Sequence, residues 1–168
     1  RLFITLTIQH YTYIMTTLRR SVATILIAPI ALPHEIAHAC IAVVCGIRPE
    51  ISLLPRSSSS QVVLGKFDAD VSPLTPRWRI RLIAAGPVIL FLPLALVIDP
   101  LVERGTAFIT AVMLFGYWGS LSGGDIVVFM NPQAVCERGQ FEAPRSAWEQ
   151  APFITTPLTV LLITVILL

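Results

Sequence analysis

Charged residues are scarce in this sequence of 168 residues, since aspartate, glutamate, lysine and arginine together make up 13% of it. Apolar side chains account for 55%, and the mean hydropathy is +0.77. An average soluble domain has about 25% charged residues. The scarcity of charge excludes an ordinary soluble domain. It predicts an integral membrane protein whose length is divided among several spans of one bundle.

The number of cysteines and the net charge are also low, and each excludes a class of function. Cys40, Cys45 and Cys136 form no C-x-x-C pair, so we expect neither a disulfide framework nor a structural zinc knuckle. The net charge of +2 is too small for a nucleic-acid-binding protein, and the basic residues are scattered around apolar segments. A lipid bilayer is therefore the expected environment.

Two of the three histidines lie in one motif, His34-Glu35-Ile36-Ala37-His38, within an apolar run. Histidines four residues apart project from one face of a helix and can hold one metal ion, while the glutamate can take a proton from water on that metal. A charged group at the centre of a bilayer costs about 3 kcal/mol on insertion scales, so polar residues there indicate function. The motif predicts zinc-dependent hydrolysis within a membrane. The alternative is a metal-free polar cluster or a decayed site.

Apolar segments predict an all-α membrane bundle of about four spans. The spans are residues 21–47, 80–98, 106–130 and 152–168, and the first three form the catalytic core. Pro29 and Pro33 predict a kink, or a restart of the helix, just before His34. Residues 1–20 are open to three interpretations: a short span, an interfacial helix, or sequence upstream of a start at Met15.

Two polar segments connect these spans. Residues 48–79 contain short alternating pieces at 50–54 and 61–67 that can pair as a β-hairpin. The hairpin is either a plain connector or a sheet edge that holds an extended substrate by strand addition. Residues 131–151 are expected to form a polar loop.

Asp125 is the best candidate for a third metal ligand. A catalytic zinc ion usually takes three protein ligands, and Asp125 is the only aspartate deep within a predicted span. Gly123 and Gly124 precede it and would let the backbone bend or unwind toward the metal. The alternative is that these glycines only permit tight packing and that Asp125 reaches the membrane interface.

The distribution of basic residues predicts the orientation in the membrane. With four spans, the N-terminal side carries four arginine or lysine residues and the opposite side carries eight. The positive-inside rule then puts the loop from Arg48 to Arg81 in the cytoplasm. The first and third spans run in the same direction, so the histidine motif and Asp125 lie toward the same membrane face.

These residues resemble the site-2 protease family of intramembrane zinc metalloproteases. The resemblance covers residues 21–130: the histidine motif in a first core helix, Ala85-Gly86-Pro87 in a second, and Asp125 in a third. The family usually has Leu-Asp-Gly around its aspartate and an asparagine shortly after Gly-Pro. Here Ile126 follows Asp125, and Leu90 stands near the expected asparagine. These departures are those of a divergent, short member.

The resemblance implies a zinc metalloendopeptidase whose substrate is the transmembrane segment of another protein. His34, His38 and Asp125 would hold Zn²⁺, and Glu35 would be the general base. The alternative function is a non-catalytic zinc-binding membrane protein or a regulatory pseudoprotease. Glu35 favours the enzyme, because hydrolysis needs it and metal binding does not.

Other intramembrane activities lack the residues they require. A rhomboid-type serine protease needs a histidine in a later helix, but none follows His38, so Ser120 and Ser122 are interpreted as helix-packing hydroxyls. An aspartyl protease needs two facing aspartates, and Asp99 lies at a span end. A zinc transporter would need a second polar constellation, which the sequence lacks.

Overall fold

The computed structural model describes residues 22, 25–26, 28–53, 65–139 and 152–168. The elements in chain order are α1 (Ala28–Val44), β1 (Pro49–Leu53), β2 (Gly65–Ala69), α2 (Arg77–Ala84), α3 (Gly86–Ile98), a 3₁₀ turn (Asp99–Leu101), α4 (Thr106–Trp118), α5 (Gly123–Met130), α6 (Pro132–Arg138) and α7 (Pro152–Leu167). The described chain is mostly helical with one small sheet, which confirms the coarse fold class. The ambiguous segment 1–20 lies outside the described residues.

The predicted hairpin is present. β1 and β2 are antiparallel, with Pro49 opposite Ala69 at the open end. β1 agrees with the predicted piece 50–54 to within one residue, whereas β2 lies toward the end of the predicted piece 61–67 and extends beyond it. Phe67 is buried, so β2 turns one side toward the helices.

Two of the predicted spans are each divided into two helices. The segment predicted at 80–98 consists of α2 and α3, which meet at an angle of 53°. The segment predicted at 106–130 consists of α4 and α5, which meet at 45° across a break at residues 119–122. Proline and glycine follow the first break directly, and a helix cap begins the second helix of the other pair.

None of the described helices is, taken alone, both long and apolar enough to cross a bilayer. Each bent pair, α2 with α3 and its 3₁₀ turn, or α4 with α5, reaches the necessary length and hydropathy when counted as one segment. α1 and α7 are shorter apolar helices.

Of the two outcomes predicted just before His34, a kink or a restart of the helix, the restart is wrong. α1 runs without interruption through Pro29 and Pro33 into the histidine motif. A proline removes one backbone donor, but a helix can continue past it where neighbouring segments support the backbone. Trp118 of α4 contacts this part of α1, since its indole Nε1 donates a hydrogen bond to the carbonyl oxygen of Ile30 (3.1 Å).

Residues 131–151 do not begin as a loop, because residues 132–138 form α6. α6 ends at Gly139, whose φ of 69° is a left-handed conformation that glycine adopts without a Cβ clash. The backbone N–H of Val71 donates to the carbonyl of Gly139 (3.3 Å), and Val135 is fully buried. The beginning of this segment therefore belongs to the core.

The buried apolar side chains form two clusters. One joins the end of α1 to the hairpin, α2, α5 and α6, with Ile80 and Ile83 fully buried. The other joins α3, α4 and α7 around Ala95 and Ile163. The first cluster lies on the hairpin side of the histidine motif. It thereby fixes α1 against the ends of α2 and α5.

Candidate metal centre

The structure brings His34, His38 and Asp125 together. The helical spacing of the histidines puts both rings on one face of α1, where their Nε2 atoms are 3.2 Å apart. Asp125, in the first turn of α5, approaches both rings, with Oδ2 3.3 Å from Nε2 of His34 and Oδ1 3.1 Å from Nε2 of His38. These three residues form a group that could hold a metal ion.

The opposite ring nitrogens are engaged by backbone carbonyls. Nδ1 of His34 donates to the carbonyl oxygen of Trp118 (3.0 Å), and Nδ1 of His38 donates to that of Ile83 (2.7 Å). A carbonyl has no proton to give, so each Nδ1 is the protonated nitrogen, and Nε2 of the neutral ring is an acceptor. Two imidazole lone pairs and one carboxylate thus converge, which is the donor set of a cation site.

Asp125 is held in place by a capping box. Ser122 is the N-cap of α5, and its hydroxyl accepts from the backbone N–H of Asp125 (3.1 Å). In return, the N–H of Ser122 donates to Oδ2 of Asp125 (2.6 Å). A carboxylate is also stabilised in the first turn of a helix by the helix dipole. Asp125 therefore reaches the histidines from a position that its own helix already favours.

The glycines next to Asp125 do not act as predicted. The unwound segment lies before them, at residues 119–122, while Gly123 and Gly124 belong to the first turn of α5. The interpretation of Ser122 as a packing hydroxyl is wrong, because its side chain caps the helix. The spacing Ser-x-x-Asp is a helix-start signature and was a usable signal in the sequence.

Glu35 lies beside the candidate ligands and is buried, with 9% of its surface exposed. Its carboxylate is in electrostatic range of His34, His38 and Asp125. Within the described ranges, no donor group forms a hydrogen bond with it. The residue is buried as a whole, but its carboxylate oxygens keep contact with solvent and are free to accept a proton from a water molecule at the site.

The site is closed on one side and more open on the other. Only 3% of the His38 side chain is exposed, and the Phe67 ring of β2 packs on it with centroids 5.6 Å apart. The side chains of His34 and Asp125 are 15% and 12% exposed. Sequence reasoning missed Phe67, since nothing local to β2 indicates which ring it will contact. Solvent reaches the centre from the side of His34 and Asp125.

The chain matches no protein-family model, no curated protein and no solved structure.

Proposed function

We propose that this protein is an intramembrane zinc metalloprotease that cleaves a peptide bond within or near a transmembrane segment of a protein substrate. The observation that carries the proposal is the convergence of His34, His38 and Asp125, with the buried Glu35 beside them. Metal binding alone would not need Glu35. Its position beside the three residues, with no protein donor among the described residues, supports a role in hydrolysis.

Zinc is the metal that suits this donor set. Two imidazole nitrogens and one carboxylate match the three protein ligands of catalytic zinc sites, which keep a fourth position open. The carbonyls that accept from the two Nδ1 atoms supply the outer hydrogen bonds typical of zinc-bound histidines. The chemistry that zinc supplies when bound is Lewis acidity, which lowers the pKa of water toward 7 and polarises a carbonyl.

Glu35 acts as the general base in this proposal. Its carboxylate accepts a proton from the attacking water and then passes it to the nitrogen of the leaving amine. Phe67 and the buried face of His38 exclude water from one side of the centre. The substrate helix must unwind locally, because its carbonyls are otherwise hidden in helical hydrogen bonds.

The surface of the helices supports a location in the bilayer. Large apolar side chains are exposed along α3, α4 and α7, and on α7 alone Phe153, Leu161 and Val165 are each more than 60% exposed. Extended exposed apolar surface marks contact with a partner or with lipid. We place both bent pairs, together with α1 and α7, in the membrane, with the segment from Arg48 to the start of α2 in the cytoplasm.

The zinc content of detergent-purified protein tests the metal centre. We expect about one zinc ion per chain in the wild type and its loss in both His34→Ala and Asp125→Ala. The same purification of Asp99→Ala, an exposed aspartate of the 3₁₀ turn, is the matched control and should retain zinc. A wild type that stays free of zinc after metal is supplied would overturn the proposal.

A further inference from the structure

Both helix breaks lie next to a histidine of the metal centre. A carbonyl within an α-helix normally accepts from the N–H four residues later. In α2 that partner of Ile83 would be Pro87, which has no N–H. The Ile83 oxygen accepts from a backbone N–H at the C-cap of α2 and, on its other lone pair, from Nδ1 of His38 at 2.7 Å.

At the second break, too, a carbonyl without its α-helical donor accepts from a histidine, but the donor is lost for a different reason. The helical partner of the Trp118 carbonyl would be the N–H of Ser122, which donates to Oδ2 of Asp125 at 2.6 Å. The Trp118 oxygen accepts from Nδ1 of His34 at 3.0 Å. The Ile83 carbonyl therefore lacks its donor four residues later because that residue is a proline, and the Trp118 carbonyl lacks its own because that N–H bonds to Asp125.

We propose that the two helix breaks select the ring tautomers of the metal centre, with Pro87 and Ser122 as positioning residues. Each break removes the donor that an unbroken helix would supply to one backbone carbonyl, and that carbonyl holds the proton of one histidine on Nδ1 and so leaves the Nε2 lone pair toward Asp125. The proposal rests on the metal-binding part of the proposed function and is independent of whether the protein cleaves peptides.

Close packing at Gly86 makes the first arrangement possible. A Cβ atom at Gly86 would lie 3.0 Å from the carbonyl oxygen of Ala37 and 3.1 Å from Cα of His38. Contacts this short are tighter than ordinary van der Waals distances, so α1 would have to move. Gly86 thus lets α1 approach closely, and Pro87 leaves the Ile83 carbonyl able to accept from the His38 ring.

Pro87→Ala tests the proposal through a signal that needs no metal. Alanine restores an N–H that can compete for the Ile83 carbonyl. In metal-free protein labelled with ¹⁵N-histidine, at a pH where both rings are neutral, long-range ¹H–¹⁵N spectra report which ring nitrogen carries the proton. We expect wild-type His34 and His38 to be protonated on Nδ1. In Pro87→Ala, His38 should gain the Nε2-protonated form while His34 stays unchanged.

Pro93→Ala is the matched control. Pro93 lies exposed inside α3, and its loss restores a helical donor away from both histidines. The control should leave both tautomers as in the wild type. If Pro87→Ala gives the control spectrum, or if the wild-type rings carry their protons on Nε2, the proposal is overturned.

Zinc affinity provides the second readout. Loss of an outer-shell partner typically lowers metal affinity by about 10- to 100-fold, which we expect for Pro87→Ala against Pro93→Ala in a chelator competition. Ser122→Ala removes the hydroxyl that holds Asp125 in the cap, so the Ser122 N–H can compete for the Trp118 carbonyl. In this variant His34, and not His38, should gain the Nε2-protonated form. A change of tautomer at His34 alone therefore tests the proposal even if Pro87→Ala fails to fold. A protein with correct tautomers that binds no zinc would refute the proposed function alone.

Discussion

The two nitrogens of each histidine ring have different partners, and the candidate site depends on that difference. Nδ1 of His34 and of His38 donates to a carbonyl, while both Nε2 atoms face the Asp125 carboxylate. The other tautomer of either ring would place an N–H where a metal ion would bind. The identity of the residues and the position of the ring protons are therefore separate requirements.

Glu35→Gln should separate metal binding from hydrolysis. Glutamine keeps the size of the side chain but cannot accept the water proton, so cleavage should fall by about 10²- to 10⁴-fold while the zinc content stays at the wild-type level. Cleavage is measured in proteoliposomes with single-span model substrates that carry a helix-breaking residue within the span.

Glu50→Gln, at an exposed position of β1, is the control and should cleave as the wild type does. Normal turnover by Glu35→Gln would refute the assignment of the base. Zinc binding with no cleavage by either protein, across a broad substrate set, would favour a non-catalytic zinc-binding protein.

Two apolar segments of the described chain are each broken into two helices. α2 and α3 are bent by 53°, and α4 and α5 by 45°, and each bend leaves a carbonyl that contacts a histidine. α7 braces the second bend, because the hydroxyl of Thr155 donates to the carbonyl of Leu121 (2.7 Å) in the unwound segment. Backbone that leaves a helix in an apolar environment is tolerated where such partners satisfy it.

Gly116→Ala should separate α4 from α7. A Cβ atom at Gly116 would lie 2.5 Å from Cγ2 and 3.0 Å from Cα of Val160, and the second of these is backbone that cannot turn aside. Overpacking of this kind costs about 1–3 kcal/mol. We expect a loss of that size in the free energy of unfolding in mixed micelles.

Gly124→Ala provides the comparison for this prediction. At Gly124 the nearest atom to an added Cβ is the Ser122 hydroxyl oxygen at 3.6 Å, an ordinary contact distance. This variant should be as stable as the wild type, because the added methyl group meets no close neighbour. Equal stability of the two variants would contradict the close approach of α4 and α7.

The whole molecule places its polar centre among helices with apolar outer surfaces. The proposed topology puts Ser72 and Glu103, both exposed, at opposite ends of the α2–α3 pair. A membrane-impermeant thiol reagent added to right-side-out vesicles should label a cysteine at Glu103, whereas a cysteine at Ser72 should react only after permeabilisation. The native cysteines are replaced by serine in both variants.

Labelling of both positions from the same side would overturn the predicted orientation. A protein that alkaline carbonate releases from membranes would refute the bilayer location as a whole. A third pattern, with the two sides exchanged, would preserve the spans and reverse the positive-inside prediction.

The amino-acid sequence by itself determined the composition of the candidate site. Histidines four residues apart share a helix face wherever the helix lies, and Asp125 is the only carboxylate deep within a later apolar segment. The helical fold class and the hairpin likewise follow from local apolar patterns, which act over a few residues. The cap of α5 is also visible in the sequence as Ser-x-x-Asp, although the prediction for Ser122 was a packing role.

Only the tertiary structure decided how these residues are oriented. The hydrogen bonds that orient the rings join residues 84 positions apart for His34 and 45 for His38, and no local pattern selects such pairs. The continuity of α1 through Pro33 depends in the same way on packing, as does the contact of Phe67 with His38. Local spacing sets the direction in which a side chain leaves its own helix, whereas its partners depend on where the other helices break and pack.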